Sequence, residues 1–228
     1  MTTEQSPDEY WLFGYGSLIW KPPPHYDRRI PGYIKGYVRR FWQARLAKAD
    51  RLLLSSEDHR GTPEAPGRVV TLISRSNWEK LNDHHEADDV IWGVAYRIEK
   101  PKVEEVKKYL DIREINGYSI HTVPVHQADP TLPPIITTVY IGTPDNPQFV
   151  KDIPSADDLA RHIFDSRGPS GENREYLLHL HAAIMELHPR SRDNHIAELA
   201  EIVNMLIARD GRGFSDPRST DEQEEVES

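Results

Sequence analysis

The chain has 228 residues, enough for one domain with a sizeable core, because single cores stop growing near about 250 residues. Its net charge of -9 and pI near 5.7 argue against a nucleic-acid backbone as partner, which draws on clustered positive charge. With no cysteine, thiol nucleophiles, disulfides and thiolate zinc sites are excluded, so chemistry has to come from oxygen, nitrogen or backbone groups.

Residues 1–9 are acidic and polar and read as a disordered N-terminus; no basic leader precedes the first apolar run. That run, Trp11 to Trp20, contains two glycines and is too short to cross a bilayer, so no membrane role is expected and a cytoplasmic location is the default. Strand composition covers Trp11 to Ile19, with Gly14-Tyr15-Gly16-Ser17 inside it. Gly14 and Gly16 tolerate positive φ, so successive backbone N–H groups can converge on an anion or an oxyanion. Other readings of this segment are weaker. A dinucleotide fingerprint lacks its third glycine, and Pro22 to Pro24 block the helix it requires. The Walker lysine is missing, and Ser17 is not in a nucleophile elbow. A glycine pair that only relieves strand crowding stays open on this segment alone.

Further strands are expected at Ile34 to Gln43, Arg68 to Ile73, Val90 to Ile98, Tyr118 to His126 and Ile135 to Gly142, which suggests a small barrel or a strongly curved sheet. Lys102 to Arg113 reads as a helix with Val103, Val106, Tyr109 and Leu110 on one face, ending before the turn signal Asn116-Gly117. Glu114 sits at that helix-to-strand handover, well placed for a carboxylate aimed into a cleft; the plain alternative is a surface ion pair with Arg113. Ser155 caps a helix over Asp157 to Phe164. The break Arg167-Gly168-Pro169-Ser170-Gly171 opens a helix over Glu175 to Leu187, where Ser170 or Asn173 is a candidate cap and Asn173 a candidate ligand for a carboxylate. A last helix spans Asp193 to Ala208, and both stripes read as core. His84, His85, His179 and His181 read as solvated or core histidines, so no metal is expected. Residues 210–228 read as an acidic disordered tail.

Taken together, Gly14-Tyr15-Gly16-Ser17-Leu18, Arg60-Gly61-Thr62-Pro63 with Pro66-Gly67-Arg68-Val69, Arg113-Glu114-Ile115-Asn116-Gly117-Tyr118, Tyr140-Ile141-Gly142 and Gly168-Pro169-Ser170-Gly171 with Asn173 and Tyr176 resemble the ChaC-like γ-glutamylcyclotransferases, most closely the fungal glutathione-specific branch. The resemblance runs from about Trp11 to Arg209, with a domain over residues 10–209. It implies an α+β fold, a mixed six-stranded β-barrel with flanking helices, no cofactor, and cleavage of reduced glutathione into 5-oxoproline and cysteinylglycine. By the resemblance Glu114 matches the catalytic glutamate. Tyr15, Gly16, Ser17 and Leu18 match the loop whose N–H groups grip the γ-glutamyl moiety, and Ser170, Asn173 and Tyr176 match the loop and helix beside the substrate. Arg113 would lower the pKa of Glu114 by pairing with it and is expected to point elsewhere. Ala44 to Leu54 departs from the family's pattern as an extra basic, apolar insertion. Two other readings stay open: a cyclotransferase for other γ-glutamyl amino acids or amines, and a non-catalytic module that binds an acidic ligand or a protein. The sequence sets no oligomeric state.

Overall fold

The computed structural model describes residues 6, 8–45, 60–62, 65–81, 83, 86–113, 118–143, 146, 148–150, 153–169 and 171–210. Most of the acidic tail, most of residues 1–9 and most of the 44–54 insertion lie outside the described residues, as do His84 and His85.

Five strands close a barrel in the order β1 (Tyr10–Gly14), β5 (Val90–Ile98), β2 (Tyr26–Lys35), β6 (Tyr118–Gln127) and β7 (Ile135–Gly142). All pairings are antiparallel except the β1–β7 closure, where Leu12 lies opposite Thr138, so the barrel is mixed as expected. The expected count of six strands is corrected to five. β3 (Tyr37–Arg45) and β4 (Gly67–Ser74) pair with each other as a two-stranded sheet beside the barrel, and Gln43 of β3 makes a further antiparallel bridge to Phe149. The cause is local: Gly36, at φ +80, turns the chain a few residues into the single strand expected from Ile34 to Gln43. Ile34 and Lys35 therefore end β2, and Tyr37 begins β3. Ala44 and Arg45, the first two residues of the expected insertion, belong to β3.

The small sheet is docked, not free. Thr71 of β4 donates its hydroxyl to the Gly142 carbonyl (2.8 Å) and accepts from the Gly142 N–H (3.1 Å), which ties β4 to β7. β3 is buried on both faces: Phe41 belongs to the main core, and Trp42 packs with Ile73 and Phe149 in a second cluster. Between β4 and β5 lies the short helix α1 (Arg75–Trp78).

Four helices pack around the sheets. α2 (Val103–Arg113) buries Val106 and Leu110. α3 (Ala156–Asp165) is capped by Ser155, whose hydroxyl accepts from the Asp158 N–H, as its sequence implies. A two-residue hairpin, β8 (Arg167–Gly168) with β9 (Gly171–Glu172), leads into α4 (Asn173–Leu187), and α5 (Asn194–Asp210) follows. Leu177, Leu180 and Ile184 of α4 and Ile196, Leu199 and Val203 of α5 are buried in the main core.

His162 of α3 holds the approach to β4 through the Pro66 carbonyl (2.7 Å), and burial pushes its pKa below the ordinary value of 6.5. A base whose folded pKa is depressed contributes stability above its unfolded pKa and loses it as pH falls. The unfolding free energy should therefore decline as pH drops below about 6.5. His162→Gln, which keeps a donor for Pro66, should make that decline shallower in urea titrations from pH 7 to 5; part of the slope stays, because burial lowers the pKa of His181 too. An unchanged slope would mean that His162 titrates alike in both states.

Candidate active site

β1 stops at Gly14, not at Ile19 as its apolar run implies. Tyr15 and Gly16 lead into a single 3-10 turn over Ser17–Ile19, closed by the Ile19 N–H on the Gly16 carbonyl (3.0 Å) and the Trp20 and Lys21 N–H groups on the Ser17 carbonyl (3.1 and 2.8 Å). The glycines are needed for space and not for handedness: Gly16 has φ -125, and Gly14 is not among the residues at positive φ. A Cβ on Gly14 would lie 2.7 Å from the Leu18 Cβ. One on Gly16 would lie 3.1 Å from a Val70 methyl and 3.2 Å from the Tyr176 hydroxyl. The chain thus doubles back at the end of a barrel strand, and the first N–H groups of such a turn have no acceptor within it.

Buried side chains hold the loop from every side. The Tyr15 hydroxyl donates to the Tyr140 carbonyl (2.9 Å), the Tyr96 hydroxyl donates to the Leu18 carbonyl (2.7 Å), and Arg39 Nη1 donates to the Tyr15 carbonyl (3.0 Å). Tyr176 of α4, only 3% exposed, stands edge-on to Trp20 and Phe41 with ring centroids 5.4 and 5.8 Å away. Of the residues expected at the site, Tyr15, Gly16, Leu18 and Tyr176 are therefore brought together, with Ser17 in the same turn.

The start of α4 forms the next wall. Its N-cap is Glu172, neither Ser170 nor Asn173, in a reciprocal capping box with Glu175. Arg60 Nη1 bridges Glu175 Oε2 (3.0 Å) and the Glu172 carbonyl (3.3 Å), which places the Arg60-Gly61 motif beside this corner. Asn173 is fully buried, and its amide is engaged with β4: the Arg68 N–H donates to Oδ1 and Nδ2 donates to the Arg68 carbonyl, both at 2.7 Å. Its observed contacts thus lock α4 onto β4. Ser170 lies outside the described residues.

Glu114 lies outside the described residues too, as does the side chain of Arg113; their anchors are in place. α2 reaches Arg113, and β6 begins at Tyr118, paired with Gly142. Tyr140, whose carbonyl holds Tyr15, donates its hydroxyl to Asp111 in the last turn of α2 (3.4 Å). Burial, aided by Tyr10 and Asp111, pushes the Tyr140 pKa up, so the hydroxyl stays protonated as a donor. A continuous path thus runs from the glycine loop through Tyr15 and Tyr140 to Asp111 in the last turn of α2.

Sequence reasoning assigned no role to Arg39, Tyr96 or Tyr140. The signal for Arg39 was visible: two consecutive arginines, Arg39 and Arg40, stand in a strand otherwise rich in aromatic and apolar residues, where a solvated face would carry no tryptophan. Both are buried, on opposite faces of β3. Among the described residues, no three His, Cys, Asp or Glu side chains converge as a metal-binding group.

A closed mixed barrel with helices packed around it and a doubled-back glycine loop at the end of its first strand defines an α+β protein of the γ-glutamylcyclotransferase-like fold. The family model described as ChaC-like protein matches residues 10–206, and the chain belongs to that family. It is 44% identical to the glutathione-specific γ-glutamylcyclotransferase of Schizosaccharomyces pombe, over 87% of this chain and 94% of that protein. It is 40% identical to the enzyme of the same name from Saccharomyces cerevisiae, over 85% of this chain and 95% of that protein. Among solved structures it is similar to the yeast γ-glutamylcyclotransferase specific to glutathione, at 36% identity and a TM-score of 0.72, covering 86% of this chain and 96% of that one. Among the described residues no helix is long and apolar enough to cross a membrane.

Proposed function

We propose that the protein is a γ-glutamylcyclotransferase that degrades glutathione, releasing 5-oxoproline and cysteinylglycine. The observation that carries this reading is the likeness to relatives of that name along nearly their whole length, in a chain whose Tyr15–Leu18 loop is folded and braced. The chemistry is intramolecular. The α-amine of the γ-glutamyl residue attacks its own γ-carbonyl carbon, a five-membered lactam closes, and the bond from that carbon to the cysteine nitrogen breaks. The attacking nitrogen goes from ammonium to lactam N–H and gives up two protons, one before attack and one as the ring closes, while the departing cysteine nitrogen takes up two and leaves as an ammonium. A single acid–base group that carries protons from one nitrogen to the other therefore serves the reaction. No water is consumed and no enzyme nucleophile is required.

Glu114 is that group in this reading. A glutamate with an ordinary pKa near 4.3 is a weak base for an ammonium, so the cleft has to raise it by burial. The N–H groups of Gly16, Ser17 and Leu18 hold the γ-glutamyl carbonyl and stabilise the oxyanion that forms on it. Tyr176, beside Gly16, closes one side, Asn173 sits at the adjoining helix corner, and Ser170 is assigned to the substrate by the family resemblance alone. Holding amine and carbonyl together contributes several kcal/mol by itself. A cytoplasmic location goes with this reading, because the substrate is a thiol kept reduced in that compartment.

Turnover in water enriched in oxygen-18 tests the route. Ring closure yields unlabelled 5-oxoproline, whereas hydrolysis of the same bond would yield labelled glutamate; labelled glutamate would overturn the cyclisation.

A further inference from the structure

Arg39 is a fully buried guanidinium on β3, fixed from three directions. Nη2 donates to the Trp92 carbonyl of β5 (2.5 Å), Nε lies 3.2 Å from Asp193 Oδ2, and Nη1 donates to the Tyr15 carbonyl (3.0 Å). Asp193 is itself immobilised: it caps α5, with Oδ1 accepting from the Ile196 N–H (3.1 Å) and its carbonyl accepting from the Ala197 N–H (2.9 Å). Burial pulls the Arg39 pKa below its ordinary value and Asp193 pushes it back. Hydrogen bonds to carbonyls of β5 and of the loop, with the Asp193 carboxylate paired by charge beside Nε though not hydrogen-bonded to it, hold the planar fork so that Nη1 faces the Tyr15 carbonyl.

The group it meets is the carbonyl half of the Tyr15–Gly16 peptide. A trans peptide is planar, with C=O and N–H pointing to opposite sides. Fixing the Tyr15 carbonyl toward β3 therefore fixes the Gly16 N–H away from β3. We infer that Arg39 is a positioning residue for catalysis: by holding the Tyr15 carbonyl it aims the Gly16 N–H at the γ-carbonyl oxygen of the substrate. The inference rests on the proposed cyclotransferase reading. It separates Arg39 from Arg40, which points to the opposite face of β3 and meets Asp83 and the Glu86 carbonyl instead.

The test compares Asp193→Asn with the double variant Arg39→Met/Asp193→Asn, acting on reduced glutathione. The double variant leaves no unpaired carboxylate at position 193, and asparagine can still cap α5. An N–H that stabilises an oxyanion acts in the transition state, so kcat should fall by about 10²-fold while KM stays within about threefold. Thermal midpoints of the two proteins, measured alongside, separate this from partial unfolding. If the double variant fails to fold, Arg39→Lys carries the same comparison against the parent: a point charge without the fork should lower kcat and leave KM. Unchanged kcat in a folded variant, or a loss confined to KM, would overturn the aiming role. Absence of 5-oxoproline from the parent protein would instead overturn the proposed function, so the two failures are distinguishable.

Discussion

Replacing Glu114 by glutamine is expected to lower turnover of glutathione by about 10³-fold or more, within the range that general acid–base groups supply, while leaving fold and substrate binding nearly intact. The amide keeps the shape of the side chain but cannot take a proton from the α-ammonium or return one to the leaving nitrogen. Lost transition-state interaction lowers kcat and kcat/KM together and spares KM where binding is fast. The parent's rate should rise with pH through the pKa of Glu114, and the residual activity of the variant should lack that limb. Steady-state kinetics with circular dichroism and a thermal melt on the same preparation check both halves. Substantial activity in a folded Glu114→Gln protein would remove Glu114 from the mechanism.

Asp83→Ala should cost stability more than any surface change. Asp83 and Arg40 are buried together, with Nε to Oδ2 at 2.7 Å and each side chain 1% exposed, and the same oxygen accepts from Trp78 Nε1 (2.6 Å). Truncating one partner strands the other charge in the interior, which costs about 3–5 kcal/mol. Arg40 still reaches the Arg39 and Glu86 carbonyls and lies over the Trp42 and Trp78 rings, so the lower part of that range is expected. At roughly 2–4 °C per kcal/mol for a chain of this size, the melting midpoint should fall by about 6–12 °C. Calorimetry of parent and variant gives the number; a drop under about 2 °C would mean that the carbonyls and rings alone satisfy Arg40.

Where an element carries its own periodicity, the sequence and the structure agree. Val90–Ile98 and Ile135–Gly142 are strands as their composition implies, and the apolar stripes of α4 and α5 lie in the core. β2 was missed before Ile34 because Asp27, Arg28 and Arg29 are exposed and Pro31 argues against a strand, yet Pro31 pairs with Val94 inside the barrel. The count of six strands failed at Gly36, where one residue at positive φ divides an apolar run between the barrel and the side sheet. At the site, the glycine loop at Tyr15–Leu18 was legible as a break after the first strand, but its bracing was not. Tyr96, Tyr140 and Arg39 reach it from β5, β7 and β3, and only the folded chain says which buried hydroxyl or guanidinium meets which carbonyl. Asn173 was read as a ligand candidate from its place at a helix start; its contacts to Arg68 answer the needs of β4.

The central claim is tested most directly by mass spectrometry of the purified protein incubated with reduced glutathione, with γ-Glu-Ala and oxidised glutathione in parallel and Glu114→Gln as control. The account predicts 5-oxoproline and cysteinylglycine from reduced glutathione, and about 10³-fold less of either product, or none, from the Glu114→Gln protein. A folded parent protein that leaves reduced glutathione intact would contradict it.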